Sequence, residues 1–149
     1  MSTIGFEQPR FDIRANARSV YRAMSALDGA IELEPTLRDL VNLRTSILNG
    51  CAYCVDMHSQ EAAARGESAQ RLYAVATWHE APFFTDRERA ALELTDAVTL
   101  VADGHVPREA FDAARAQFDD EELAQLIWAI TAMNAWNRIA VTARMLPRE

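Results

Sequence analysis

Two cysteines and a histidine stand close together in this sequence: Cys51-Ala52-Tyr53-Cys54, then His58 four residues further on. Thiols at this spacing share one face of a helix, so the pair reaches a disulfide and can cycle between oxidised and reduced forms. Asn49-Gly50 ahead of them closes one helix, which places Cys51 in the first turn of the next. There the free amides and the macrodipole favour a thiolate. His58 falls on the face of Cys54, where an imidazole that titrates near neutral pH moves protons.

Other readings compete for these residues. Two cysteines also serve as small core hydrophobes, with His58 a satisfied buried histidine. Cys51, Cys54 and His58 supply three zinc ligands, but a closed structural site needs a fourth, and no second Cys-X-X-Cys or His pair is present. A thioredoxin-like fold requires a βαβ pattern beside the motif. None is visible.

The elements that must position the dithiol read at helical period throughout, without the alternation of a half-buried strand. A first helix is predicted from about Ile13 to Leu27, with Val20, Met24 and Leu27 on one stripe. Pro35 suits a helix start, and a second helix runs from about Thr36 to Leu48, with Leu37, Leu40, Val41, Leu43 and Ile47 inward. A third begins at Cys51 and ends at Gly66, and a fourth runs from Ser68 to His79. Thr85-Asp86-Arg87-Glu88 is a capping box opening a fifth, to about Val101. A sixth spans Pro107 to Phe118, and Asp119 caps a long seventh reaching about Met145. That last helix is apolar on more than one side (Leu123, Leu126, Ile127, Trp128, Ile130, Met133, Trp136 and Ile139). This suits either a central core helix or one partly covered by another subunit.

Composition bounds the rest. A chain of 149 residues, half of them hydrophobic, with only five Gly and five Pro, fits one folded domain rather than a disordered or fibrous protein. The net charge of -7 is dispersed and argues against a nucleic-acid surface. Met1 to Arg10 shows no apolar leader core, and Leu123 to Met133 is too short to span a bilayer. The cytoplasm is the expected location, where two cysteines seldom act as a permanent staple. Tyr53 is a candidate to donate to a ligand or to pack. His79, His105, Arg38 and Arg44 read as solvated groups, and Trp78, Trp128 and Trp136 as core or subunit-contact residues.

The stretch from Leu37 to His58 ends in Asn49-Gly50-Cys51-Ala52-Tyr53-Cys54-Val55-Asp56-Met57-His58. It resembles the core motif of the AhpD-like alkylhydroperoxidases, within the carboxymuconolactone decarboxylase family. The likeness continues through Trp78, Thr85 to Leu94 and Ala135-Trp136-Asn137-Arg138, covering about Pro35 to Met145. The resemblance implies an all-α fold assembled as trimers or hexamers. It also implies reduction of small organic hydroperoxides, with Cys54 peroxidatic and Cys51 resolving. The helix-terminus argument instead makes Cys51 the more acidic thiol. The family carries a glutamate twelve residues before its first cysteine, where this chain has Asp39, an acid one methylene shorter.

The tight Asn49-Gly50 connection makes the second and third helices antiparallel neighbours. At ~1.5 Å rise per residue, Asp39 then lies roughly 3 Å axially from His58 and roughly 9 Å from Cys54. Asp39 is therefore expected to act on His58, and His58 on Cys54; its plainer reading is a solvated charge near a helix start. No haem, flavin or nicotinamide motif is present, so no cofactor is expected. Electrons would come from an external dithiol, lipoyl- or thioredoxin-like. Rival functions for the same dithiol are a redox-sensing or interaction module, and a lactone decarboxylase-related activity.

Overall fold

Eight α-helices and one 3-10 turn, and no strand, make up residues 8–147, the part of the chain that this computed structural model describes. Residues 1–7, most of the stretch read for a leader, lie outside it. In chain order the helices are α1 (Ile13–Asn16), α2 (Arg18–Gly29), α3 (Pro35–Leu48), α4 (Ala52–Ala64), α5 (Ala69–Ala74), α6 (Asp86–Thr99), α7 (Arg108–Gln117) and α8 (Asp120–Ala143). Among the described residues no helix is long and apolar enough to cross a membrane.

The centre of the fold is α3, which packs against α4, α6 and α8. Leu37, Leu40, Val41 and Leu43 are all buried on it, as their spacing predicts. Leu37 and Val41 join Leu94, Leu126 and Ile130 in one cluster, while Leu40 and Leu43 join Val75, Trp78 and Leu92 in a second. Each such side chain removed from water contributes about 1.5–3 kcal/mol. That burial fixes α3, and α3 in turn fixes α4.

Capping sets the ends of the elements. The Thr85–Glu88 box is fully formed, and Asp119 and Glu122 make a second one at the start of α8. At the far end of α8, Arg144 adopts a left-handed conformation, which ends the helix close to the expected Met145.

The first helix departs from expectation. It breaks at Ala17, and of the expected stripe only Met24 packs on the core, while Val20 and Leu27 are exposed. The helix packs on α8 and against α1, and among the described residues these contacts leave Val20 and Leu27 in solvent. The helix expected from Ser68 to His79 ends as α5 at Ala74 and gives way to the 3-10 turn Val75–Thr77, where Arg44 donates to the Val75 and Ala76 carbonyls.

Arg44 is not a solvated surface group. It is buried and holds both oxygens of Asp96, at 2.6 and 2.9 Å, while the Trp78 indole donates to the same carboxylate. Arg38 is likewise engaged, pairing with Asp28 at 3.0 Å. Trp128 is largely exposed, not core. His79 keeps an exposed side chain near Asp96.

Candidate active site

The turn between α3 and α4 delivers the dithiol. Gly50 takes a φ of 64°, the Gly50 amide donates to Ile47 at 3.1 Å, and the Cys51 amide reaches back to Ser46 at 3.0 Å. This is a Schellman closure, and it requires a residue tolerant of left-handed backbone at Gly50. It leaves Cys51 at the N-cap of α4, where its sulfur accepts the Cys54 amide at 3.3 Å. Side chains of α8 lock the turn: Asn49 donates to both Asn134 and Asn137 at 2.9 Å, and buried Asn137 donates to Ser46.

Cys51 and Cys54 are joined in a disulfide, their Cα atoms 5.3 Å apart. The bond is almost wholly enclosed, with the two residues 1% and 2% exposed. It packs with Ala140 of α8, against Tyr53 and Met145.

Beside it opens a cavity of about 640 Å³ between α2, α3, α4 and α8. Tyr21 and Trp136 form an edge-to-face aromatic pair on its wall, centroids 5.1 Å apart. Tyr53, Met57, His58, Glu61 and Arg65 line it from α4 and its C-cap, and Asp39 from α3. Asp39 and His58 are thus brought to one cavity, both buried. Neither cysteine contributes to the lining; Cys54 lies one helical turn before His58, at the closed end of the same stripe.

The expected contact between Asp39 and His58 is not made. Both Asp39 oxygens are taken by the Arg65 guanidinium, with Nε 2.8 Å from Oδ2 and Nη2 on Oδ1. The His58 ring instead meets Glu61, its Nδ1 3.2 Å from Oε2, and Nε2 is buried with no partner. Burial pulls the His58 imidazole below its ordinary value, while the Glu61 charge and hydrogen bond, then Asp39 and Asp28, pull it upward. Burial outweighs these charges, so a neutral imidazole is favoured.

Glu61 and Arg65 were missed in the sequence, although a signal existed. Cys54, His58, Glu61 and Arg65 are spaced four, three and four residues apart, one continuous stripe on a helix. Arg65 sits at the helix C-cap because Gly66, with a φ of 99°, closes α4 by a second Schellman turn. The aromatic wall had no such signal, since Tyr21 and Trp136 lie at opposite ends of the chain.

Comparison with known proteins supplies context for this arrangement. The profile of the Carboxymuconolactone decarboxylase family matches residues 18–97. An uncharacterized Bacillus subtilis (strain 168) protein, YdfG, is 34% identical over 131 residues, covering 88% of this chain and 89% of its own. The crystal structure of an Agrobacterium tumefaciens protein of unknown function, a putative antioxidant defence protein AhpD, superposes with a TM-score of 0.93. Its identity is 39%, over 95% of this chain and 99% of that one. A Ralstonia eutropha JMP134 structure with an alkylhydroperoxidase AhpD core, an uncharacterized peroxidase-related protein, matches at a TM-score of 0.80. The identity there is 25%, over 91% of this chain and 74% of that one.

Proposed function

The chain belongs to the carboxymuconolactone decarboxylase family, and from that membership we propose that it is a cytoplasmic thiol-dependent peroxidase of the AhpD-like kind. The observation that carries this reading is the joining of Cys51 and Cys54 at the start of α4, one turn from a buried imidazole with an unpartnered ring nitrogen.

In the dithiol form the Cys54 proton passes to His58, and the thiolate attacks the distal oxygen of a hydroperoxide. The O–O bond breaks, the alkoxide takes the proton from His58 and leaves as alcohol, and Cys54 becomes a sulfenic acid. The Cys51 thiolate then attacks the Cys54 sulfur, forming the disulfide seen here, and the departing hydroxide takes up the proton that Cys51 lost on ionising and leaves as water. An external dithiol restores both thiols. The N-cap position, which argues for an acidic Cys51, suits this second attack because the resolving group must also be a thiolate.

Asp39 acts at a distance, its charge raising the His58 pKa through the shared cavity while Arg65 holds it. The aromatic wall favours hydroperoxides with an apolar body. No cofactor is called for, since the electrons enter and leave through sulfur.

The test is turnover of a hydroperoxide panel with a supplied dithiol, followed by mass spectrometry of the Cys51–Cys54 bond. Many equivalents of alcohol per protein support an enzyme. Oxidation that stops at one disulfide per chain would instead make the dithiol a redox sensor.

A further inference from the structure

Among the described residues, the buried side-chain nitrogen or oxygen without a partner is Nε2 of His58. Its other ring nitrogen faces a carboxylate, and a carboxylate only accepts. The Nδ1 atom must therefore carry the proton, and a neutral ring then has its lone pair on Nε2, the nitrogen left without a partner. In the disulfide neither sulfur bears a proton, so no thiol is available to donate to it.

We propose that Glu61 is the positioning residue of His58, holding the ring as the Nδ1–H tautomer so that Nε2 is a bare proton acceptor. Asp39, the acid that sequence spacing favours for this task, has both oxygens engaged by Arg65. Glu61 is reached on the same helix at a three-residue spacing, whereas Asp39 must act across the groove from α3. The proposal rests on the reading of His58 as the base that takes the Cys54 proton.

The other charged and titratable groups around the cavity sharpen the assignment. From α3 come Asp39 and Arg38, from α2 Asp28 and Tyr21, and from α4 and its C-cap Tyr53 and Arg65. Arg38 is tied to Asp28 and to backbone carbonyls, and Arg65 to Asp39. Neither arginine displaces Glu61 from the ring. The Glu61 side chain is 47% exposed, so its removal leaves no cavity in the core.

The histidine-ring nitrogens report the tautomer directly. The chain has three histidines, so long-range proton–nitrogen NMR of ring-labelled dithiol protein gives three patterns, and His58→Gln identifies the one wanted. The expected wild-type pattern at pH 8 is protonated Nδ1 with bare Nε2. Glu61→Ala shifts it toward protonated Nε2, and Asp39→Asn leaves it unchanged. In a Cys51→Ser background, Glu61→Ala also slows alkylation of Cys54 near neutral pH by roughly tenfold, a modest share of what a positioned base supplies. A wild-type ring protonated on Nε2 overturns the proposal, as does a pattern that follows Asp39→Asn rather than Glu61→Ala. The NMR needs no hydroperoxide, so a missing peroxidase turnover sinks the peroxidase reading without touching this one.

Discussion

Arg65 closes over Asp39 from across the groove, so that the buried acid of α3 and the C-cap of α4 form one ion pair. The carboxylate side chain is only 7% exposed, and the arginine, at 49%, supplies its counter-charge from the rim. Arg65→Ala strands a buried carboxylate, which costs about 1–2 kcal/mol after allowance for the exposed partner. Adding Asp39→Asn should recover part of that loss, because the amide needs no counter-charge. Urea midpoints of the two variants check this. A double variant no more stable than Arg65→Ala would mean that the stranded carboxylate is not what the single change costs.

Exchange of either cysteine separates the roles assigned to them. Cys54→Ser should abolish hydroperoxide consumption. Cys51→Ser should permit one oxidation and accumulate a sulfenic acid on Cys54, or a mixed disulfide with added thiol. Mass spectrometry after a single hydroperoxide pulse reads both. If Cys51→Ser alone blocks the first oxidation, the attacking and resolving roles are exchanged.

Much of this site is legible in the sequence because local chemistry dictates it. Asn49-Gly50 and Gly66 mark the two helix ends that aim Cys51 and Arg65, and Thr85 and Asp119 cap their helices as their types require. What local rules could not supply is partnership across elements. Axial counting sets Asp39 level with His58, and the two line one cavity, but rise per residue carries no information on rotation, or on a third group reaching in. Arg65 took the carboxylate, and Glu61 took the imidazole. Arg44 misleads in the same way, since Asp96, which draws it inside, lies 52 residues away. Val20 fails for the opposite reason: its spacing with Met24 and Leu27 is helical, but among the described residues nothing buries it.

Stability should depend on pH through His58. Its folded pKa lies below the ordinary value of about 6.5, because burial disfavours the charged ring. Below that value the unfolded chain binds more protons than the folded one, so stability rises with pH. The contribution is fully present above about pH 6.5 and is lost as pH falls through the window down to the folded pKa. Urea midpoints between pH 5 and 8 should show this slope, and His58→Gln should flatten it. Equal slopes in the two proteins would place the titrating group elsewhere.

The outer side of α2 bears on assembly. This helix has twelve residues and none of them is buried, and helices of that length are marginal in water unless a packed face holds them. Phe11, Val20 and Leu27 are 54%, 69% and 37% exposed, although Val20 and Leu27 fall on one stripe. A second copy of the chain laid over this stripe would bury them. The protein should therefore be a homo-oligomer, with a trimer or hexamer expected from its family. Tyr21 and Asp28 of the same helix line the cavity, so docking of copies would also steady the cavity wall. Val20→Glu combined with Leu27→Glu should dissociate the assembly and raise KM for hydroperoxide severalfold, although neither residue lines the cavity. Light scattering gives the mass and initial rates give KM. A wild-type particle of 16.7 kDa at micromolar concentration would overturn the assembly. A dissociated double variant with unchanged KM would show that the cavity wall stands without it.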